Sequence, residues 1–482
     1  MKVETAPRRR WFVRNRAFAA GLMLALFTLC APAVARESSL RERRVRAIYR
    51  ELIETDTTHA TGSTTRAAKA MAARLRAAGI HERDLHVLGP DRKGNLVARL
   101  RARGRPKAKP LLLLAHLDVV EAKRSDWSVS PMQLTERDDY FYGRGTIDDK
   151  AMAAIFVELA IELARDGTSL ERDVIVALTA GEEGGGDNGA RWLVSEHRAL
   201  VDAGLVINEG GHGALRSGKP LYLAVQCAEK SAMNFALVAR GKGGHSSRPT
   251  PDNPIYRLSA ALGRIQQLRF SVQLNEVTRA YFARLARVER GEVAAAAARI
   301  ARDSNDAKSA ALLSQQPILN ALLRTTCVAT RISGGQAANA LPQEARALLN
   351  CRALPGQTKR EVEAAIVAAV ADPSIEVSVV RARESSAPAR VDARFLETVK
   401  RVSESLWPGV PVIPTMGTGA TDSTYFRLAG IPAYGVSGLF DDIDDYRAHG
   451  RDERLGVDEF YDGLEFMRQL VGELAVKPKG DR

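Results

Sequence analysis

The sequence predicts a mixed α/β fold: a mostly parallel sheet covered by helices, interrupted by a smaller α+β domain. Three observations predict it. Short unbroken apolar runs alternate with amphipathic helical stretches, the pattern of strands buried on both faces. The character changes near residue 225 towards longer alternating segments around charged helices. Near residue 391 the first pattern returns. The 482 residues, 45% hydrophobic and 26% charged with 38 Gly and 20 Pro, have the composition of a folded globular chain and exclude a collagen-like or wholly disordered one.

The first segment is not read as part of that fold. Residues 1–35 carry Lys2, Arg8, Arg9, Arg10, Arg14 and Arg16 against Glu4, then the apolar run AFAAGLMLALFTLC, then Ala33-Val34-Ala35. A basic start, an apolar centre and an A-x-A site are the layout of an export signal. The run falls short of the roughly 20 apolar residues that a membrane span needs. Arg9-Arg10-Trp11-Phe12-Val13 fits a twin-arginine leader or an ordinary basic start. Both readings expect an exported chain, periplasmic or secreted, with no stable membrane insertion once the leader is cleaved. Losing those six basic residues and one acidic residue lowers the net charge from +13 to +8. The excess is scattered, and no recognition helix, zinc finger or RNA-binding signature accompanies it, so nucleic acid is not an expected partner. Cys227, Cys327 and Cys351 remain. They form no C-x-x-C pair, which argues against a thiolate metal site. A Cys327–Cys351 bridge requires their flanking strands to pair.

Residues 40–79 read as two helices around the polar break DTTHATGSTT. Strands follow at NLVARL, LLLLA, VIVALTA and LVIN, with helices from Lys150 and Asn188 between them. Residues 225–390 are expected to form one inserted lid or dimerisation domain: FALVARG, a helix over 253–268, an Ala-rich charged section over 275–314, then TTCVATRIS and EARALLNCRALP as strands. The catalytic domain would comprise residues 36–224 and 391–482. Its second part holds a helix, PVIPTMGTGATDS, a strand near Ala433 and a final amphipathic helix over 458–476.

The acids and imidazoles fall at strand ends. His116 and Asp118 follow LLLLA, Glu182 and Glu183 follow VIVALTA, and Glu209 follows LVIN. In an open α/β sheet the crevice at the carboxyl ends of the strands is where ligands bind. YGRGTIDDK adds Asp148 and Asp149 in a Gly-flanked loop, and HGRDER adds His449. Imidazoles and carboxylates without thiolates suit zinc, cobalt or manganese. Two such ions sharing a carboxylate can polarise a carbonyl and activate water. One carboxylate must then stay unligated to take the water's proton. Singly, each signal has an ordinary structural reading: a hydrogen-bonded His-x-Asp pair, a cap, a solvated turn, a surface histidine. Jointly that reading needs five strand ends or loops to carry such residues by accident.

LLLLAHLDVV, YGRGTIDDK, TAGEEGGG, INEG, GGHSSRP, NALP, NCRALPG and HGRDER resemble, in order, the motifs of the dinuclear zinc peptidases. That family contains aminoacylases, carnosinase-like dipeptidases, glutamate carboxypeptidases and succinyl-diaminopimelate desuccinylases. The likeness runs from about Arg43 to Leu474. It implies two divalent ions, zinc first and cobalt or manganese as alternatives. Asp148 would bridge them, His116 and Glu209 would complete one, and Glu183 and His449 the other. It implies Glu182 as general base, Asp118 as the group orienting His116, and a cis Asp148–Asp149 bond. In the inserted domain it implies His245 as oxyanion donor and Asn339 and Arg352 as substrate-holding groups, while Gly417 in GTGATDS would close the pocket. The implied activity is cleavage of a peptide or amide bond beside a free carboxylate, carboxypeptidase or dipeptidase in type, with an N-acyl-amino-acid amidohydrolase as the alternative. Small peptides or acyl amino acids would be the substrates, and a homodimer could form through the inserted domain. Of another class is a metal-dependent peptide-binding protein without catalysis, against which an unligated Glu182 argues.

Overall fold

In the computed structural model the described residues are 31–184, 187–389 and 392–476. Most of the expected leader lies outside them; its last five residues begin a helix, Ala31–Glu54. The chain divides at Arg44/Val45, and the fold described below is that of the unit from Val45 onward. Among the described residues no helix is long and apolar enough to cross a membrane.

The main sheet is mixed and runs Leu85–Leu88, Asn95–Leu100, Val174–Thr179, Leu111–His116, Leu205–Asn208, Ala433–Gly435, Lys219–Glu229, Gly213–Arg216, Phe440–Asp442, with Val412–Gly417 also paired to Lys219–Glu229. Its centre is parallel from Val174–Thr179 through Ala433–Gly435. Successive side chains of a strand point to opposite faces, and both faces are covered. Leu111, Leu113, Val174 and Val176 enter one core with the helix Lys150–Arg165. Leu112, Leu114, Ile175 and Ala177 enter another with Ala190, Leu193 and Phe426. That two-sided burial is why these runs lack polar alternation. The Lys150–Arg165 helix is buried at every position from Lys150 to Ile161, which explains its nearly charge-free first three turns.

The second sheet is antiparallel, in the order Thr326–Gly334, Glu344–Ala353, Ser231–Arg240, Ile375–Ala382. Phe235, Leu237, Leu349, Val362 and Ile366 form its core beneath the helices Pro254–Gln266 and Lys359–Val370. Cys327 pairs with Cys351 across adjacent strands, and the two are joined as a disulfide.

The boundaries of this part differ from the expected 225–390. Residues 225–229 continue the strand Lys219–Glu229 of the main sheet. The helices Glu276–Val288, Gly291–Arg302, Ala307–Leu313 and Pro317–Leu323 bury Val277, Phe282, Leu285, Ile300 and Leu322 in the main core, not under the second sheet. In sequence, 275–314 reads only as an Ala-rich charged section. Which of two apolar sheet faces it covers is a long-range choice that such a section does not encode.

Candidate active site

His116, Glu182, Glu183 and Glu209 sit where the strands Leu111–His116, Val174–Thr179 and Leu205–Asn208 end, at one edge of the sheet. His116 Nε2 lies 2.7 Å from Asp148 Oδ1 and 3.7 Å from Glu209 Oε2. His449 Nε2 lies 3.0 Å from Asp148 Oδ2 and 2.7 Å from Glu183 Oε1. Asp148 therefore stands between the two imidazoles, one oxygen towards each. The Asp148–Asp149 peptide bond is cis. Ligand atoms of His116, Asp148 and Glu183, and of His116, Asp149 and Glu209, each lie within 4.8 Å of one another.

Asp118 meets His116 through its backbone, not its carboxylate. The His116 Nδ1–H donates to the Asp118 backbone carbonyl at 2.9 Å, which turns Nε2 towards the acids. The Asp118 carboxylate is 3.9 Å from that ring. It instead accepts from the backbone N–H groups of Glu182 (3.2 Å) and Glu183 (3.0 Å). One residue thus sets both the imidazole and the Glu-Glu turn, because the strands bearing them are parallel neighbours.

The charge balance of the cluster is negative. Burial, then Glu209 and other nearby acids, pushes the Glu182 carboxyl well above the ordinary range. Burial carries Glu209 up to about 7. Burial and Glu209 also hold Asp149 well above its usual value. Although burial opposes it, His116 and His449 hold Asp148 well below the usual carboxylate range. Hydrogen bonds to Asp148 and Glu183 raise His449 to about 10. Glu182 is 8% exposed, and neither its Oε1 nor either Asp149 oxygen has a hydrogen-bond partner among the described residues. Buried acids without partners are costly unless a cation compensates them. The donor set, imidazole and carboxylate with no thiolate, fits a pair of divalent ions.

The remaining expected residues lie elsewhere: His245 and Asn339 at a separate two-stranded sheet, Arg352 on the second sheet and Gly417 on the main one. His245 is exposed on a short strand that pairs with Ala340–Leu341, and the Asn339 carbonyl accepts from the Ser246 N–H at 3.0 Å, so these two lie together. Arg352 is half-buried on Glu344–Ala353 and donates to Asn350 Oδ1 at 3.3 Å. Burial, then Arg383, lowers its pKa, and Glu182 works against both. Gly417 ends the strand Val412–Gly417, where a Cβ would come within 2.5 Å of Gln226 Oε1.

Three residues escaped the sequence reading. Arg383 places Nη1 3.7 Å from Glu182 Oε1 and donates from Nη2 to the Glu182 carbonyl at 3.3 Å; nothing in RARESS signals it. Arg144 and Glu453 form a buried ion pair at 2.6 Å. Glu453 also accepts from the N–H groups of Gly145, Ile147 and Asp148, while Arg144 donates to the Gly450 carbonyl at 2.9 Å. The pair ties the Asp148 loop to the His449 loop. Both residues stood inside YGRGTIDDK and HGRDER, where only the ligand types drew attention.

The profile of peptidase family M20/M25/M40 matches residues 112–473. Among curated relatives, the N-fatty-acyl-amino acid synthase/hydrolase PM20D1 of Mus musculus is 29% identical over 378 residues, spanning 76% of this chain and 74% of its own. Among solved structures, the M20 family metallo-carboxypeptidase Sso-CP2 from Sulfolobus solfataricus superposes with a TM-score of 0.67 at 20% identity, over 89% of this chain and 98% of that one. The YXEP protein of Bacillus subtilis, a dinuclear metal-binding peptidase of the M20 family, does so with a TM-score of 0.57 at 14% identity, over 90% and 98%.

Proposed function

Since the chain belongs to peptidase family M20/M25/M40, and so to its metal-dependent hydrolases, we propose that it cleaves an amide bond next to a free carboxylate, in a small peptide or an N-acyl amino acid. The observation that carries this reading is the cluster of His116, Asp148, Glu183, Glu209 and His449 beside the buried Glu182, whose Oε1 has no hydrogen-bond partner among the described residues. His116 and Glu209 would hold one divalent ion, Glu183 and His449 the other, and Asp148 both. Zinc is the first candidate, with cobalt and manganese next. Bound there, such a pair would polarise the scissile carbonyl and make water a better nucleophile at neutral pH.

The chain's own residues supply the rest. A water oxygen adds to the carbonyl carbon, and its proton passes to Glu182. Glu182 then hands the proton to the nitrogen as the C–N bond breaks, leaving a carboxylate and an amine. Burial and the neighbouring acids raise the Glu182 carboxyl, which favours its holding the proton between the two steps. Asp118 keeps Glu182 in place through its backbone N–H. Arg383 and Arg352, with Asn339, would hold the substrate's carboxylate end, for which a guanidinium is well shaped. Gly417 would close the pocket. His245 would donate to the developing oxyanion once the two-stranded sheet that carries it approaches the cluster, either in the same subunit or from a second copy. The second sheet would then be the lid and dimerisation element. Its edge strand Thr326–Gly334 leaves Val328 60% and Ile332 63% exposed, which favours self-association.

Two observations favour export. One is the leader-like segment over 1–35. The other is the Cys327–Cys351 disulfide, which persists where thiols are not kept reduced. The decisive experiment supplies the purified protein, stripped by chelator and reloaded with zinc, cobalt or manganese, with a panel of dipeptides and N-acyl amino acids. Metal-restored release of a free amine is expected. Hydrolysis indifferent to chelation, or none with any metal on any substrate, would end this reading.

A further inference from the structure

A cavity of about 590 Å³ lies between the main sheet and the helices of residues 276–323. A cleft of about 660 Å³ elsewhere, along residues 387–394 and 427–434, touches none of the candidate metal ligands. The first cavity is not lined by those ligands either, but it opens beside the segments that carry them. Gly211, two residues past Glu209, and Tyr446, three before His449, both line it, as does Gly417. Away from that end its wall is apolar: Tyr281 and Leu285 from Glu276–Val288, Val293 from Gly291–Arg302, Leu319 and Leu322 from Pro317–Leu323, and Met416 from the sheet.

The charges lining it decide which part of a substrate enters. Glu289, Asp441, Asp442 and Asp444 are acidic, and the lining cation Arg216 is 3.6 Å from Glu289. A substrate carboxylate is repelled there and belongs at the Arg352–Arg383 side, beside Glu182. The uncharged side of the amide is left for the cavity. We propose that this cavity is an acyl-chain site: it receives a long aliphatic chain from an N-acyl amino acid and sets the carbonyl against the acid–imidazole cluster. The helices of residues 276–323 exist, on this view, to wall that chain. The assignment rests on the amide-hydrolase reading above and adds to it the substrate's apolar half. The volume lies within the range of about 300–1,000 Å³ typical of small-molecule sites.

The test is a chain-length series of N-acylglycines, acetyl to dodecanoyl, on zinc-loaded wild type and Val293→Trp. Val293 is half-buried on its helix, so a larger side chain fills the cavity without entering the main core. For the wild type, kcat/KM should climb about fourfold per added methylene until the cavity is full. In Val293→Trp the dodecanoyl substrate should lose at least about tenfold, while N-acetylglycine turnover and metal content stay unchanged. Ile318→Asp, at an exposed rim position, should give the same pattern if the first variant misfolds. A flat series, or equal losses on acetyl and dodecanoyl substrates, overturns the acyl-chain site. Calorimetric titration of the loaded protein with dodecanoate keeps the two readings apart. If no amide substrate is turned over, the hydrolase reading fails alone, provided dodecanoate binds the wild type and not Val293→Trp. Absent or unaltered binding overturns the site itself.

Discussion

Replacing Glu453 by Gln tests the idea that a buried ion pair sets the spacing of the candidate metal ligands. The Glu453 and Arg144 side chains are 1% and 3% exposed and meet at 2.6 Å, so solvent screens little of their attraction. The amide keeps nearly the same volume but removes the charge, leaving the Arg144 guanidinium buried without a counterion. Breaking a buried pair from one side typically costs about 3–5 kcal/mol. The Glu453 carboxylate also accepts from Gly145, Ile147 and Asp148 N–H groups, so the loop carrying Asp148 should loosen as well. Loss of such outer support generally lowers metal affinity about 10- to 100-fold. Urea unfolding of the zinc-loaded protein would read the stability, and competition with a chromophoric chelator the affinity. The double variant Arg144→Met/Glu453→Leu should recover part of the stability, because neither charge is then stranded. A Glu453→Gln protein within about 0.5 kcal/mol of wild type, with unchanged zinc competition, would refute the tie between the two loops.

Glu182→Gln should retain bound metal and the folded state while kcat falls about 10²–10⁴-fold; near-wild-type turnover would remove Glu182 as the proton carrier. Asp441→Asn concerns stability and pH. Burial raises the Asp441 pKa, with His212 at 3.3 Å drawing it partly back. A carboxyl raised in the folded state contributes stability at pH below its unfolded value, near 3.9, and that contribution is lost as pH rises through the folded value. The Asn variant should therefore melt above wild type at pH 8 and converge with it near pH 4; the opposite slope would contradict the assignment. Replacing both Cys327 and Cys351 by Ser opens a loop spanning 24 positions and should cost about 3 kcal/mol. Non-reducing peptide mapping should find the pair linked in wild-type protein made in an oxidising compartment.

Much of this was readable from sequence because apolar runs and the residues ending them are local facts. LLLLA, VIVALTA and LVIN are buried on both faces, and parallel pairing carries their ends, with His116, Glu182, Glu183 and Glu209, to one edge. Asp148 and His449 were recognisable only as ligand types in Gly-flanked loops. What brings those loops together is a small sheet in which Tyr140–Tyr142 pairs with Arg454–Gly456, and the Arg144–Glu453 pair beside it. Tertiary structure alone decided three things. Asp118 orients His116 through its carbonyl and holds the Glu182–Glu183 turn with its carboxylate. Arg383 reaches Glu182 from just past the strand Ile375–Ala382, 201 positions away. The helices of residues 276–323 cover the main sheet and enclose the apolar cavity. In each case the sequence states what a side chain is and which face it shares. Which distant surface that face meets depends on burial and charge balanced over the whole molecule, and no local pattern records it.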